Sequence, residues 1–223
     1  KLSIGYTFLF NDAIRNVKAM IQKDSMGQIY YLTATRTHMG LVRKDTSVLW
    51  DLAPHDVAIM NYLLDSKPQQ VSAVGGRPLG LEEHDVAFIN LFYPEGIIGQ
   101  IHVSWVDSNK ERIVRVIGSK ARVVFNDLDG LEPVRLFKKG IDLDVPVNPG
   151  FGEFKFLLRD GDIVSPRIEQ HEPLKTILEF FVRTVLDDIE NLNDGKFSQN
   201  VSGVIAAAQK SIKTGGTPEE VIY

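Results

Sequence analysis

Apolar and polar positions change rhythm along this chain, and the changes mark out its elements. Between Ile14 and Ile21 the apolar residues Ile14, Val17 and Ile21 recur at helical spacing, with Asp12 as the expected cap and Gly27 as the stop. Ahead of that helix, Lys1–Phe10 (KLSIGYTFLF) reads as a strand. Behind it, Gln28–His38 reads as another, rich in Tyr and Thr. Alternation sets Thr33, Thr35 and Thr37 on one face of this strand and Leu32, Ala34, Arg36 and His38 on the other. A loop, Met39–Ser47, leads to a helix ending near Leu64, with Asp51 at its start and Pro54 in its first turn, where proline's missing N–H costs nothing.

After Pro68 the period becomes two. Gln70–Val74, Val86–Tyr93, Ile97–Trp105, Arg112–Gly118, Arg122–Asn126 and the short Val134–Phe137 read as successive strands. Turn signals at Tyr93-Pro94-Glu95-Gly96, Gly118-Ser119-Lys120 and Asp127-Leu128-Asp129-Gly130 separate them. Short connections imply an antiparallel meander rather than βαβ units. Lys138–Ile168, broken by Pro146, Pro149, Gly150, Gly152 and Gly161, has no readable period. Its Gly150-Phe151-Gly152 lacks the third glycine and the βαβ setting of a dinucleotide loop.

Two helices close the chain. Glu172-Pro173 opens the first, with the stripe Leu174, Ile177, Leu178, Phe181, Val185 and Ile189. Ser198 is the expected cap of the second, whose stripe is Val201, Val204, Ile205, Ala208 and Ile212, stopped by Gly215-Gly216. Both stripes read as core or domain-docking surfaces. The expected fold is α+β, one domain over 1–223.

Composition narrows the function. With 24% charged and 43% hydrophobic residues, the 223-residue chain has the make-up of a globular protein with a real core. A net charge of −4 argues against nonspecific nucleic-acid binding. The absence of cysteine removes disulfides, thiolate metal sites and a Cys nucleophile, and fits a reducing, cytoplasmic setting. No apolar run approaches the ~20 residues of a bilayer span, and no signal peptide is read. Asn200-Val201-Ser202 has sequon form but falls in the last helix.

The stretch that carries candidate chemistry is Ser47-Val48-Leu49-Trp50-Asp51-Leu52-Ala53-Pro54-His55-Asp56. Asp51 and His55, four residues apart, share a helical face. A His beside a carboxylate accepts a proton near neutral pH; a helix cap plus a hydrogen-bonded His is the other reading. Asp56 reads as a cap or ion-pair partner rather than as chemistry. Arg36 and His38 end their strand near the same loop, as sugar or diphosphate ligands or as a solvated edge. Arg43 and Lys44 in the loop, and Lys110 and Arg112 after Trp105, offer charge to an anionic substrate or to solvent. Trp105 reads as core or interface rather than as a sugar-stacking platform. His84, His102 and His171 are scattered without metal-ligand spacing, so no metal is expected.

The order of these elements resembles the C-terminal domain of the Gfo/Idh/MocA oxidoreductases. The residues that carry the likeness are Gly5-Tyr6-Thr7-Phe8-Leu9-Phe10-Asn11, Gly27-Gln28-Ile29, Leu49-x-Asp51-x-x-x-His55-Asp56 and Trp105 through Gly118-Ser119. Glu172-Pro173-Leu174, Asp194-Gly195 and Ala206-Ala207-Ala208-Gln209-Lys210-Ser211 complete it. Within the family, the Leu49 to Asp56 stretch, Trp105-Val106-Asp107 and Gly118-Ser119-Lys120 look closest to members acting on nucleotide-linked N-acetylhexosamines. Leu9 stands where many members carry Arg, and Asp12 where many carry Pro.

The resemblance implies an open-faced, mostly antiparallel mixed sheet with helices on one face, like the C-terminal domain of glyceraldehyde-3-phosphate dehydrogenase. It implies an NAD(P)-dependent oxidation of a sugar secondary hydroxyl, with His55 as base and Asp51 orienting it or bonding a neighbouring hydroxyl. Trp50, Arg36, His38, Arg43, Lys44, Lys110 and Arg112 would line the substrate. The family's dinucleotide fingerprint and Glu-Lys-Pro motif would precede Lys1, so this chain is expected to bind no cofactor alone. A homodimer or homotetramer through the open sheet face is expected. A non-catalytic binding or oligomerisation module is the competing reading.

Overall fold

In a computed structural model, residues 1–40, 42–142, 157–169 and 171–223 are described. Gly150-Phe151-Gly152 lies outside them. A single 3-10 turn, Thr7–Phe10, opens the molecule, followed by α1 (Asp12–Gln22), β1 (Ile29–Thr37) and α2 (Val48–Leu64). Strands β2 (Gln70–Gly76), β3 (Val86–Phe92), β4 (Ile98–Ser104), β5 (Glu111–Gly118), β6 (Arg122–Asn126) and β7 (Val134–Phe137) come next. The short strands β8 (Gly140–Asp142), β9 (Leu157–Arg159) and β10 (Ile163–Val164) precede α3 (Pro173–Leu186), α4 (Gly195–Lys213) and β11 (Glu219–Glu220).

Nine strands form one sheet in the order β10-β7-β6-β5-β1-β4-β3-β2-β11, and β8 pairs with β9 apart from it. The strands expected from alternation are all present, but they do not form a simple meander. β1 inserts between β4 and β5, parallel to the first and antiparallel to the second. Side-chain alternation specifies which face a strand buries, not which neighbour it takes, so the insertion is decided by long-range pairing. Leu32 and Ala34 of β1, Val114 and Val116 of β5, and Ile101 and Val103 of β4 form one buried face. Leu49, Val57 and Met60 of α2 and Val201, Val204 and Ile205 of α4 belong to the same core.

The opposite face is open, with Tyr31, Val74, Phe88 and Ile98 exposed among Thr33, Thr35, Asn90 and Gln100. This is the mixed, mostly antiparallel open sheet expected for the family.

Four local expectations are corrected. Lys1–Phe10 is not a strand: Lys1–Tyr6 has no regular structure, and Thr7–Phe10 is a 3-10 turn that sinks Leu9 and Phe10 fully into the core. The side chain of Asn11, not Asp12, caps α1 by accepting from the N–H groups of Ala13 and Ile14. Asp194, not Ser198, caps α4, accepting from Phe197 N–H at 2.8 Å. In both cases adjacent or nearby residues have capping chemistry, and only the backbone path selects between them. Pro54 lies inside α2, whose first residue is Val48, so the helix starts earlier than expected. Proline there leaves the Trp50 carbonyl without its intrahelical donor.

The stripe on α3 is also turned. Ile177, Phe180 and Thr184 face inward, Phe180 packing on Phe10 with ring centroids 5.1 Å apart. Leu174, Leu178, Val182 and Val185 remain exposed.

Candidate active site

The carboxyl ends of the parallel strands β1 and β4 lie side by side, Thr37 opposite Ser104. The start of α2 is tied to this end of the sheet, because Val48 N–H donates to the His84 carbonyl at 2.9 Å and Trp105 N–H donates to the neighbouring Asp85 carbonyl at 3.0 Å. His38 N–H in turn donates to Ser104 O at 3.1 Å. These three bonds set the first turns of α2 over the ends of β1, β4 and β5.

His55 is half-buried, and its Nδ1 is buried without a hydrogen-bond partner among the described residues. Phe8, from the opening turn, meets the imidazole edge-on at 5.9 Å between centroids. Burial, first, and then the Arg36 charge hold the imidazole below its ordinary pKa; Asp56 and Asp51 oppose this, and Arg112 adds to Arg36. The ring is therefore neutral at neutral pH, the form that accepts a proton.

Asp51 lies about one turn ahead of His55 on α2 and does not bond the imidazole. Its carboxylate accepts from Arg43 Nη1 at 3.4 Å and from Trp105 Nε1 at 3.3 Å. Trp105 itself is buried. Arg43 also forks onto Asp45, Nη2 to Oδ2 at 2.6 Å and Nε to Oδ1 at 3.1 Å. Trp50 is partly exposed on the outer side of α2 and donates to Gln209 Oε1 at 3.0 Å.

Among the cations considered for the substrate, Arg36 stands apart. Its side chain is buried, with Nε donating to Asp56 Oδ2 and Nη2 to Asp56 Oδ1, both at 2.8 Å. It lies opposite Arg112 on β5, which donates from Nη1 to Asp127 Oδ2 at 3.2 Å and stays partly exposed. Lys110, Arg43 and Lys44 are exposed, and His38 is half-buried, its ring beside Gly40. So α2, β1 and β5 bring His55, Asp51, Arg36 and Arg112 together, with Arg43 reaching Asp51. Lys44, Lys110 and Trp50 stand outside that network of contacts.

Phe8 and Asp127 were not singled out by the sequence. Phe8 had only the family-like Gly5–Asn11 segment as a signal, and Asp127 only its turn. The remaining histidines do not gather either: His102 stacks on Phe88 at 4.4 Å across the open face, and His171 bonds Asp12. No cluster of three or more metal-ligating residues is found among the described residues, and no helix among them is long and apolar enough to cross a membrane.

Volume alone points elsewhere. A cavity of about 680 Å³ at the far end of α2, lined by residues including Asn61, Tyr62, Lys67, Asp194 and Phe197, does not include His55. It holds no unpaired buried polar group, so chemistry rather than size locates the site at His55. None of the described residues makes a dinucleotide cradle. The N-termini of α1, α3 and α4 are closed by the side chains of Asn11, Glu172 and Asp194.

Residues 14–124 match the family described as the GFO/IDH/MocA C-terminal domain, and the chain belongs to this family of oxidoreductases. It is similar in structure to UDP-N-acetylglucosamine 3-dehydrogenase GnnA from Acidithiobacillus ferrooxidans, with a TM-score of 0.74 and 21% identity over 96% of this chain and 63% of that one. Aldose-aldose oxidoreductase from Caulobacter crescentus, complexed with glycerol, aligns with a TM-score of 0.79 and 15% identity over 99% of this chain and 64% of that one. An inositol dehydrogenase homolog from Azotobacter vinelandii, complexed with NADH and myo-inositol, aligns at 0.69 and 16% identity over 98% and 64%. The chain thus spans a little under two thirds of the length of these proteins. No curated protein sequence matches the chain significantly.

Proposed function

We propose that this chain is the substrate-binding half of a cytoplasmic NAD(P)-dependent oxidoreductase that oxidises a secondary hydroxyl of a sugar carried on a nucleotide diphosphate. The observation that carries the reading is His55, a neutral imidazole with an unpartnered buried Nδ1 at the carboxyl ends of parallel strands. Its resemblance to the family's helix motif, and the dehydrogenases among its structural relatives, support the same role.

His55 accepts the hydroxyl proton as the carbinol carbon is oxidised, and Asp51 accepts a hydrogen bond from a neighbouring hydroxyl rather than orienting the imidazole. Arg112 and Arg43 supply positive charge for an anionic diphosphate, with the exposed Lys44 and Lys110 adding to it from outside the contact network, and His38 borders the sugar, whereas Trp50 is turned to Gln209. A nicotinamide held by a preceding dinucleotide-binding domain supplies the hydride acceptor. We assign the exposed α3 face, Leu174, Leu178, Val182 and Val185, as the surface on which that domain rests.

A second copy of the chain is the proposed occupant of the open sheet face. The exposed Tyr31, Val74, Phe88 and Ile98 there are interleaved with Thr33, Thr35, Asn90 and Gln100, a mixture suited to a wet interface.

In the two-domain protein, His55→Ala is expected to lower kcat about 10²–10⁴-fold, the contribution of a positioned general base. Turnover that survives unchanged would remove His55 from the mechanism.

A further inference from the structure

Arg36 and Asp56 form a bidentate ion pair inside the protein, 20 residues apart in sequence, with side chains only 6% and 2% exposed. Neither is free to meet a substrate. The fork that would hold a phosphate or sugar hydroxyl is spent on Asp56, and one face of the guanidinium is covered by the Phe8 ring, 4.6 Å from Cζ. Phe8 in turn packs edge-on against His55. A chain of contacts therefore runs Asp56–Arg36–Phe8–His55, through α2, β1 and the opening turn, and returns to the helix it started from.

We propose that the Arg36–Asp56 pair is a positioning device for His55: it seats Phe8 against the imidazole and sets a fixed positive charge behind it that keeps the ring in its proton-accepting form. The inference rests on the reading of His55 as the base. A buried pair of this kind is often no more stabilising than apolar residues of the same volume, so stability alone does not account for its place beside the base. The charges around the imidazole are Asp51 and Asp56 on its own helix, Arg36 on β1 and Arg112 on β5, while the opening turn contributes only the uncharged Phe8. Asp127 lies behind the two arginines, bonded to Arg112. Of these, Arg36 acts on the imidazole most strongly and against its protonation, while Asp56 acts in the opposite sense.

The two halves of the pair thus predict opposite effects. The imidazole of His55 is titrated by NMR in the full chain and in single variants, with circular dichroism to report folding. Arg36→Met is expected to raise the His55 midpoint by on the order of one pH unit, the size of a charge interaction at an effective dielectric near 20. Asp56→Asn is expected to lower it, and Arg36→Lys to hold it near the wild-type value. Movement of both single variants in the same direction, or of neither, overturns the proposal, because loss of packing alone carries no sign.

Should a single variant fail to fold, Arg36→Met/Asp56→Leu removes both charges while keeping apolar volume. There the midpoint is expected to rise above the wild-type value, because Arg36 acts on the imidazole more strongly than Asp56, and an unchanged or lowered midpoint overturns the proposal. In the two-domain protein the acid limb of kcat/KM follows the His55 midpoint. A midpoint that moves while the limb stays upholds the positioning and refutes His55 as base.

Discussion

Gly118 ends β5 at a point where the chain has no room for a methyl group. A Cβ built there would sit 2.2 Å from the Met26 carbonyl oxygen and 3.2 Å from that of Gln28. Both oxygens are in use: Lys120 N–H donates to Met26 O at 3.0 Å, and Ser119 N–H to Gln28 O at 2.9 Å. Gln28 N–H completes the clamp by donating to Ser119 Oγ at 3.1 Å. The clamp fixes where β1 begins, and β1 carries Arg36 to the site.

Since carbon and oxygen in contact need about 3.5 Å, Gly118→Ala must drive the two segments apart by roughly 1 Å. Weakening two backbone hydrogen bonds at about 0.5–1.5 kcal/mol each, together with about 1–3 kcal/mol of overpacking strain, gives a loss of about 2–6 kcal/mol. Urea unfolding measures it as a lower midpoint at unchanged slope. Gly130→Ala serves as the control, because nothing lies within 4 Å of a Cβ there, and it is expected to change stability by no more than about 0.5 kcal/mol. A loss below about 1 kcal/mol in Gly118→Ala would refute the steric reasoning.

Three further outcomes are expected. His55, His84 and His102 are each held below the ordinary value of 6.5, in every case first by burial. The unfolded chain therefore binds more protons, so their stability contribution is complete above that value and is lost as pH falls through it toward the folded values. The thermal midpoint should drop on acidification across this range, and less so in His55→Gln; a profile flat in pH contradicts the burial. Nicotinamide fluorescence should not change when this chain alone is titrated with NADH, since nothing in the described residues cradles a pyrophosphate, and tight binding would overturn the assignment of the cofactor to a preceding domain. Phe88→Asp on the open sheet face, where Phe88 is 44% exposed, is expected to give monomers in light scattering where the unaltered chain gives the proposed dimer or tetramer, without altering the circular dichroism. An oligomer that persists excludes this face as the contact.

The elements were legible wherever local chemistry decides them. Alternation located β2 to β7 because each of these strands has one face against the helices and one against the open side. Helical spacing located α1 and α4 for the same reason, while α2, buried on most sides, was marked by Asp51, Pro54 and the apolar run up to Leu64. The site was half legible: residue type and spacing singled out Asp51 and His55, and the family-like order of elements gave them a setting.

Pairing over long distances was not legible. Arg36 and His38 share a strand face and are indistinguishable by alternation. Only the tertiary fold brings Asp56 beneath Arg36 and turns a prospective substrate ligand into one half of a buried ion pair. Asp51 and His55 lie at the spacing of a bonded pair, yet Trp105 and Arg43 claim the carboxylate. The apolar stripe of α3 is visible in the sequence, but which of its sides turns inward depends on where Phe10 stands.

By itself, then, the sequence determined the faces of the strands, the composition of the core and the helix that bears the imidazole, because these follow from period and residue chemistry. The tertiary structure decided that β1 lies between β4 and β5 and which charge stands behind His55, because both rest on contacts between segments far apart in the chain.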